Sequence, residues 1–311
     1  MVTRIPLLLV TVLLLDLSGL HAQEMFKSWQ LTSSPVREGF PSFSPDGKFI
    51  VIQQTDRNDT LGLNGLWKIP LNNVAGAKQI FSGVAEHPRW SPDGQLIVFD
   101  ADTGKNIKMI PVDGGEPIAF LPETVQIRNG GLPCWSPDAT QIAFIEGSSI
   151  SLCVFNSRTG QLKSLFSQEG ILPLPAVWTR DGTHILTALM DRQTRQSTIW
   201  LISADGKERT QIYGHHENFY RYLALSPDGS LLVYAAMENG LLGLYIMLAK
   251  GGRSIPLAVS DQGHNDGPCW SPDGRRIAYS DGKGDIWMID MDPERIIREL
   301  RSLNEQSQKD I

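Results

Sequence analysis

Apolar runs of strand length recur along the whole chain, separated by short polar stretches rich in turn-forming residues. One set, Leu96-Ile97-Val98-Phe99, Gln141-Ile142-Ala143-Phe144, Leu231-Leu232-Val233-Tyr234 and Arg276-Ile277-Ala278-Tyr279, is dense in β-branched and aromatic residues. A second set follows each of these, as in Leu66-Trp67-Lys68-Ile69, Ile107-Lys108-Met109-Ile110, Ile199-Trp200-Leu201-Ile202 and Ile286-Trp287-Met288-Ile289. A third, weaker set comes after it, for example Gln79-Ile80-Phe81 and Thr210-Gln211-Ile212-Tyr213. Ahead of the first set stands a phrase close to Trp-Ser-Pro-Asp-Gly. It is intact at 90–94 and 270–274 and lightly altered at 43–47, 135–139, 178–182 and 225–229. Its aspartates, Asp46, Asp93, Asp138, Asp181, Asp228 and Asp273, are 47, 45, 43, 47 and 45 residues apart. A repeat of that period, flanked by strands, predicts an all-β six-bladed β-propeller of four-stranded blades.

The phrase itself reads as a tight turn. Proline presets the second position, the serine hydroxyl can bond the backbone ahead of it, and glycine accepts the exit. The aromatic before five of the six turns (Phe43, Trp90, Trp135, Trp178 and Trp270; Leu225 in the other) is expected to pack between blades. Six inner three-strand sets are accompanied by only five outer strands in sequence order, and the segment Lys27–Thr32 has the character of the sixth. It is expected to pair with Asp285–Asp290, so that the two chain ends close the ring and remove open sheet edges. The expected organisation is a signal peptide at 1–22, the propeller at 23–292, and a short helix or disordered tail at 293–311.

Charge and targeting narrow the functional classes. The net charge is −6, and Arg4 and Asp16 cancel, so removal of the first 22 residues leaves it unchanged. Lys and Arg are scattered without a basic patch, which argues against nucleic acid as a partner. Arg4 followed by the apolar run Ile5–Leu15 and the small residues up to Ala22 reads as an export signal, placing the protein in the periplasm or outside the cell. No further transmembrane segment is expected. Cys134 and Cys269 hold equivalent places in blades that oppose each other, so a disulfide between them is not expected, and all three cysteines read as small buried hydrophobes.

Candidate chemistry gathers in the lead-in loops before each blade. These hold Glu86, His87, Arg128, His215, His216, Tyr220, Arg221, His264 and Asp266. Histidines beside carboxylates could hold a divalent metal. Phe219, Tyr220, Arg221 and Tyr222 in one loop, with Phe40 in another, are the aromatic and cationic residue types that anchor a protein partner, or a glycan.

The six repeats, with their Ile-Ala-Tyr and Ile-Trp-Met-Ile strands, resemble the propeller repeats of TolB and the WD-like repeats of dipeptidyl-peptidase-type enzymes. The resemblance covers about 265 residues. It implies an exported propeller that binds protein partners, as TolB does in the periplasmic Tol-Pal system. TolB's additional α/β domain and a hydrolase Gly-x-Ser-x-Gly elbow have no counterpart here. The expectation is therefore a monomeric, non-catalytic protein- or peptide-binding module of the cell envelope, with no cofactor. The alternative is a metal-dependent polysaccharide lyase or lactonase-type hydrolase using channel histidines.

Overall fold

In the computed structural model, residues 25–102, 106–122, 131–147, 149–214, 219–238, 241–260 and 265–309 are described. The expected signal segment lies outside them. The strands form six antiparallel sheets, each a blade. Blade 1, for example, runs Arg37–Phe43, Phe49–Thr55, Gly65–Pro70 and Lys78–Ser82. Six hydrophobic clusters fill the six seams between successive blades. Val51 and Leu66 meet Ile97 and Phe99 at the first seam, and Ala278, Ile286 and Met288 meet Ile50 and Ile52 at the last, so the ring is closed.

Closure comes from the strand the sequence predicts. Phe26–Gln30 pairs antiparallel with Ile286–Met291, from Phe26 opposite Met291 to Gln30 opposite Trp287. A buried polar knot sits at this seam. The Thr32 hydroxyl donates to Glu38, Gln54 Nε2 donates to the same carboxyl at 2.8 Å, and Ile286 N–H donates to Thr32 Oγ1 at 3.0 Å. Burial pushes the Glu38 pKa up, against the pull of the Thr32 and Gln54 hydrogen bonds.

Each turn phrase is held the same way. Ser91 Oγ donates to Asp93 at 2.5 Å and accepts the Leu96 N–H at 2.9 Å, while Asp93 accepts the Gln95 N–H at 3.0 Å. The aspartate is thus occupied by its own turn. The tryptophans pack across seams as expected, Trp178 Nε1 donating to Cys134 O at 3.2 Å and Trp270 Nε1 to Ala224 O at 2.9 Å. The three cysteines are free.

The C-terminal segment, expected as a short helix or a disordered tail, is a 17-residue helix. It spans Pro293–Lys309 and seats Ile296 and Leu300, both fully buried, on the cluster of blades 5 and 6. Asp292 caps it by accepting the Glu294 N–H at 3.1 Å. Among the described residues no helix is long and apolar enough to cross a membrane.

Candidate binding site at the channel mouth

The described lead-in residues do not lie in loops. Glu86 and His87 lie in the strand Ala85–Trp90, Tyr220 and Arg221 in Phe219–Leu225, and Asp266 begins Asp266–Trp270. Glycine and proline here suggest loops, but these are innermost strands. Their inner edge has no neighbouring strand, so Pro41, Pro88, Pro133 and Pro268 cost no ladder hydrogen bond.

Each of these strands carries a β-bulge at one repeat position, six residues before the turn aspartate. Phe40, His87, Leu132, Tyr222 and Gly267 stand there with φ of 49°, 52°, 58°, 50° and 59°. The sixth blade to be considered, blade 4, has Pro175 at that place, whose ring forbids positive φ. Its innermost strand is accordingly split into Ile171–Pro173 and Val177–Trp178.

The bulge re-aims side chains into the channel. The Phe40 ring of blade 1 lies 4.2 Å from the His87 ring of blade 2 and 5.1 Å from the Tyr222 ring of blade 5. Blades 1 and 5 are not neighbours, so the second contact is made across the channel, past Gly267. A Cβ on Gly267 would come within 3.0 Å of Phe40. These three rings constrict the channel. All three are among the residues the sequence offers as candidates, His87 as a lead-in histidine and Phe40 and Tyr222 as partner-anchoring aromatics; what the sequence reading did not connect is their shared column, six residues before each turn aspartate.

His87 is locked from behind. Its Nδ1 lies 2.8 Å from Asp100 Oδ2, and its backbone N–H donates to Gln53 Oε1 at 2.8 Å. Asp100 is only 4% exposed and also accepts the Leu132 N–H, at 2.9 and 3.1 Å to its two oxygens. Gly131 makes this possible, since a Cβ there would sit 2.2 Å from Asp100 Oδ1. The arrangement leaves His87 Nε2 without a hydrogen bond among the described residues.

Arg221 and Asp266, on adjacent innermost strands, form an ion pair at 2.9 Å, and the guanidinium lies 5.1 Å from the Tyr222 ring centre. Burial, then the Asp266 charge, pushes the Tyr222 pKa up. Glu86 is half-buried one residue before His87. Tyr220, expected on the rim, is instead fully buried, its ring 5.4 Å from Tyr213 and 5.5 Å from Tyr234. Tyr220 lies in the blade 4–5 seam, and the bulge at Tyr222 breaks the alternation that would have put both tyrosines on one face, so Tyr222 takes the channel position. Arg128, His215, His216 and His264 lie outside the described residues. Among the described residues no three His, Cys, Asp or Glu side chains are grouped to hold a metal.

An uncharacterized protein of Agrobacterium fabrum is 24% identical over 285 residues, covering 85% of this chain and 90% of that protein. The Tol-Pal system protein TolB of Anaeromyxobacter dehalogenans is 29% identical over 188 residues, 57% of this chain, which spans only 41% of that TolB. A solved Agrobacterium tumefaciens structure assigned as a TolB superposes with a TM-score of 0.64 at 19% identity, covering 86% of this chain and 98% of that one. An oligogalacturonate lyase of Vibrio parahaemolyticus gives 0.58 at 14% identity, covering 86% and 97%. At such identities the structural likeness speaks for the fold alone. The TolB beta propeller domain family profile matches residues 131–295, more than half of the chain. Six blades, turn phrases and profile agree: this chain belongs to the TolB beta propeller domain family.

Proposed function

We propose that this chain is an exported envelope protein that binds a protein or peptide partner at the channel mouth, with no chemistry and no cofactor of its own. The carrying observation is the aromatic constriction. Phe40, His87 and Tyr222 meet across the channel, with the Arg221–Asp266 pair beside them. Aromatic rings next to arginine, set in a concave site, are the anchors that dominate interface energies. The matched TolB is named for the Tol-Pal system, which supports a protein partner and an envelope location. Export would use the apolar N-terminal segment, and the chain would act as a monomer. The test is quantitative capture from envelope extract by the wild type and by Arg221→Glu. A partner retained equally by both, or none captured by either, rejects the reading.

The His87–Asp100 pair favours one second reading. An imidazole oriented through Nδ1 by a buried carboxylate is built to act as a base or metal ligand at Nε2, and one solved neighbour is an oligogalacturonate lyase. A stoichiometric divalent metal that disappears in His87→Ala, together with turnover of oligogalacturonate, would replace the binding reading with this one.

A further inference from the structure

Two residues nearer the turn phrase than His87, the strand Ala85–Trp90 carries Arg89, half-buried. Its place is four residues before the turn aspartate. The other blades hold Ser42, Cys134, Val177, Ala224 and Cys269 there, so Arg89 is the one charged residue of that column. Its charge is felt in three other blades. Burial pushes the thiols of Cys134, in blade 3, and Cys269, in blade 6, up, and the Arg89 charge pulls both back. On the Tyr222 hydroxyl of blade 5, burial and the Asp266 charge push up, while the Arg221 and Arg89 charges pull down. A side chain of blade 2 that acts on blades 3, 5 and 6 together extends toward the ring axis, beside the constriction made by Phe40, His87 and Tyr222.

Hydrogen-bond donors are left over at this point. A guanidinium carries five N–H groups in a planar fork. Arg89 Nη1 donates to Pro88 O, on its own neighbour, at 3.1 Å. Among the described residues Arg89 makes no other hydrogen bond and no ion pair, and the Tyr222 hydroxyl makes no hydrogen bond. The surrounding polar groups are engaged elsewhere. Arg221 is paired with Asp266, and Asp100 with His87 and the Leu132 N–H. Ser42 Oγ accepts the Trp90 N–H at 3.1 Å, and the Cys134 and Cys269 thiols point at the Trp135 and Trp270 carbonyls at 3.8 and 3.6 Å. Glu86, three residues toward the mouth, adds a negative charge that is also felt at Tyr222.

We propose that Arg89, with the Tyr222 hydroxyl as second donor, binds one carboxylate inside the channel. The fork of parallel N–H groups matches a carboxylate through two bonds. Charge sets the upper limit. One free guanidinium neutralises one negative charge and Glu86 repels a second, so a phosphate dianion would bring uncompensated charge into the channel. The carboxylate belongs either to the end of a peptide chain or to a small free acid. In the first case it anchors the partner that the mouth takes, and that part rests on the binding reading above.

The probes are acetate, acetyl-Ala-Ala-Ala with a free carboxylate, and the same peptide as its amide, titrated against the full chain by saturation-transfer NMR. The peptide acid is expected to bind about tenfold tighter than the amide, the contribution of one charge-assisted hydrogen-bonded pair. Arg89→Gln, with folding checked by circular dichroism, should erase that preference and acetate binding with it. Arg89→Lys, which keeps the charge without the fork, should restore part of both. Tyr222→Phe should weaken acetate about threefold. Arg192→Gln, the same change of charge at an exposed hairpin, should alter nothing. A peptide acid that outbinds acetate assigns the site to chain ends, and equal binding assigns it to small acids. Acetate needs no partner, so its Arg89-dependent binding stands even where no partner is captured at the mouth. Equal binding of acid and amide, acetate binding that survives Arg89→Gln, or inorganic phosphate competing better than acetate would overturn the proposal.

Discussion

Ala139 shows how much of this molecule is decided one residue at a time. It occupies the glycine place of its turn phrase with φ of 57°, and Gly47, Gly94, Gly182, Gly229 and Gly274 hold the same place in the other blades. A left-handed alanine carries a strain that glycine does not, partly offset by glycine's larger unfolded-state entropy. Ala139→Gly is therefore expected to stabilise the fold by about 0.5–1 kcal/mol, read from the denaturant midpoint at constant slope. The turn aspartates make a second residue-level prediction. The Ser44, Ser136 and Thr179 hydroxyls, with turn amides, hold Asp46, Asp138 and Asp181 below the ordinary carboxylate value of 3.8, and Asp181 reaches about 2. A depressed folded value means that the turns contribute stability above the unfolded pKa and lose it as the pH falls through the folded one. Acid weakening of the turns should therefore begin near 3.8 and run to about 2 for Asp181, followed by carboxyl carbon NMR. The repeated Ser-Pro-Asp-Gly made these roles legible, because the hydrogen bonds are local. Tyr222 was not legible as the channel residue rather than Tyr220, because regular alternation puts both on one face and only the bulge at Tyr222 separates them.

At the scale of elements, the second and third strands of each blade could be read directly, since Ile97-Val98-Phe99, buried on both faces, and Ile199-Trp200-Leu201, with Ile199 buried and the other two half-buried, carry dense β-forming residues. The innermost strands could not. Their prolines and glycines mimic loops, and what permits them is an edge facing the channel, a property of the ring and not of the segment. The choice between a short helix and a disordered tail at the C-terminus was left open by the sequence for a related reason. The helix has a short apolar stripe, and its length is supported by docking on blades 5 and 6, where Asn304 Oδ1 also accepts the Arg253 N–H at 2.7 Å. Leu300 is fully buried there. Leu300→Ala should cost about 2–4 kcal/mol in global unfolding, and a loss well under 1 kcal/mol would mean that the helix is an appendage.

For the whole molecule, the decisive feature is that the first strand completes the last blade, which the count of outer strands foretold. The buried Glu38 knot locks that seam. With its folded pKa raised by burial, Glu38 contributes stability below its unfolded value, and that contribution is lost as the pH rises through the folded one. Glu38→Gln, which keeps a hydrogen-bonding group without the charge, should flatten this part of the stability–pH profile, and a parallel profile would remove Glu38 from the seam's energetics. A closed, rigid ring also explains why the mouth residues can sit where they do: Phe40, His87 and Tyr222 come from three blades and are brought together only by the completed circle. Their meeting is the physical basis for assigning partner binding to this face. Site-specific photo-cross-linking in the native envelope tests that assignment most directly, with the photoreactive residue placed at Glu86 on the mouth or at Arg275 on the opposite, turn-bearing face. The account predicts a discrete adduct from position 86 that is lost when Tyr222→Ala is introduced, and none of that size from position 275. The same adduct from both faces, or one from position 275 alone, would contradict it.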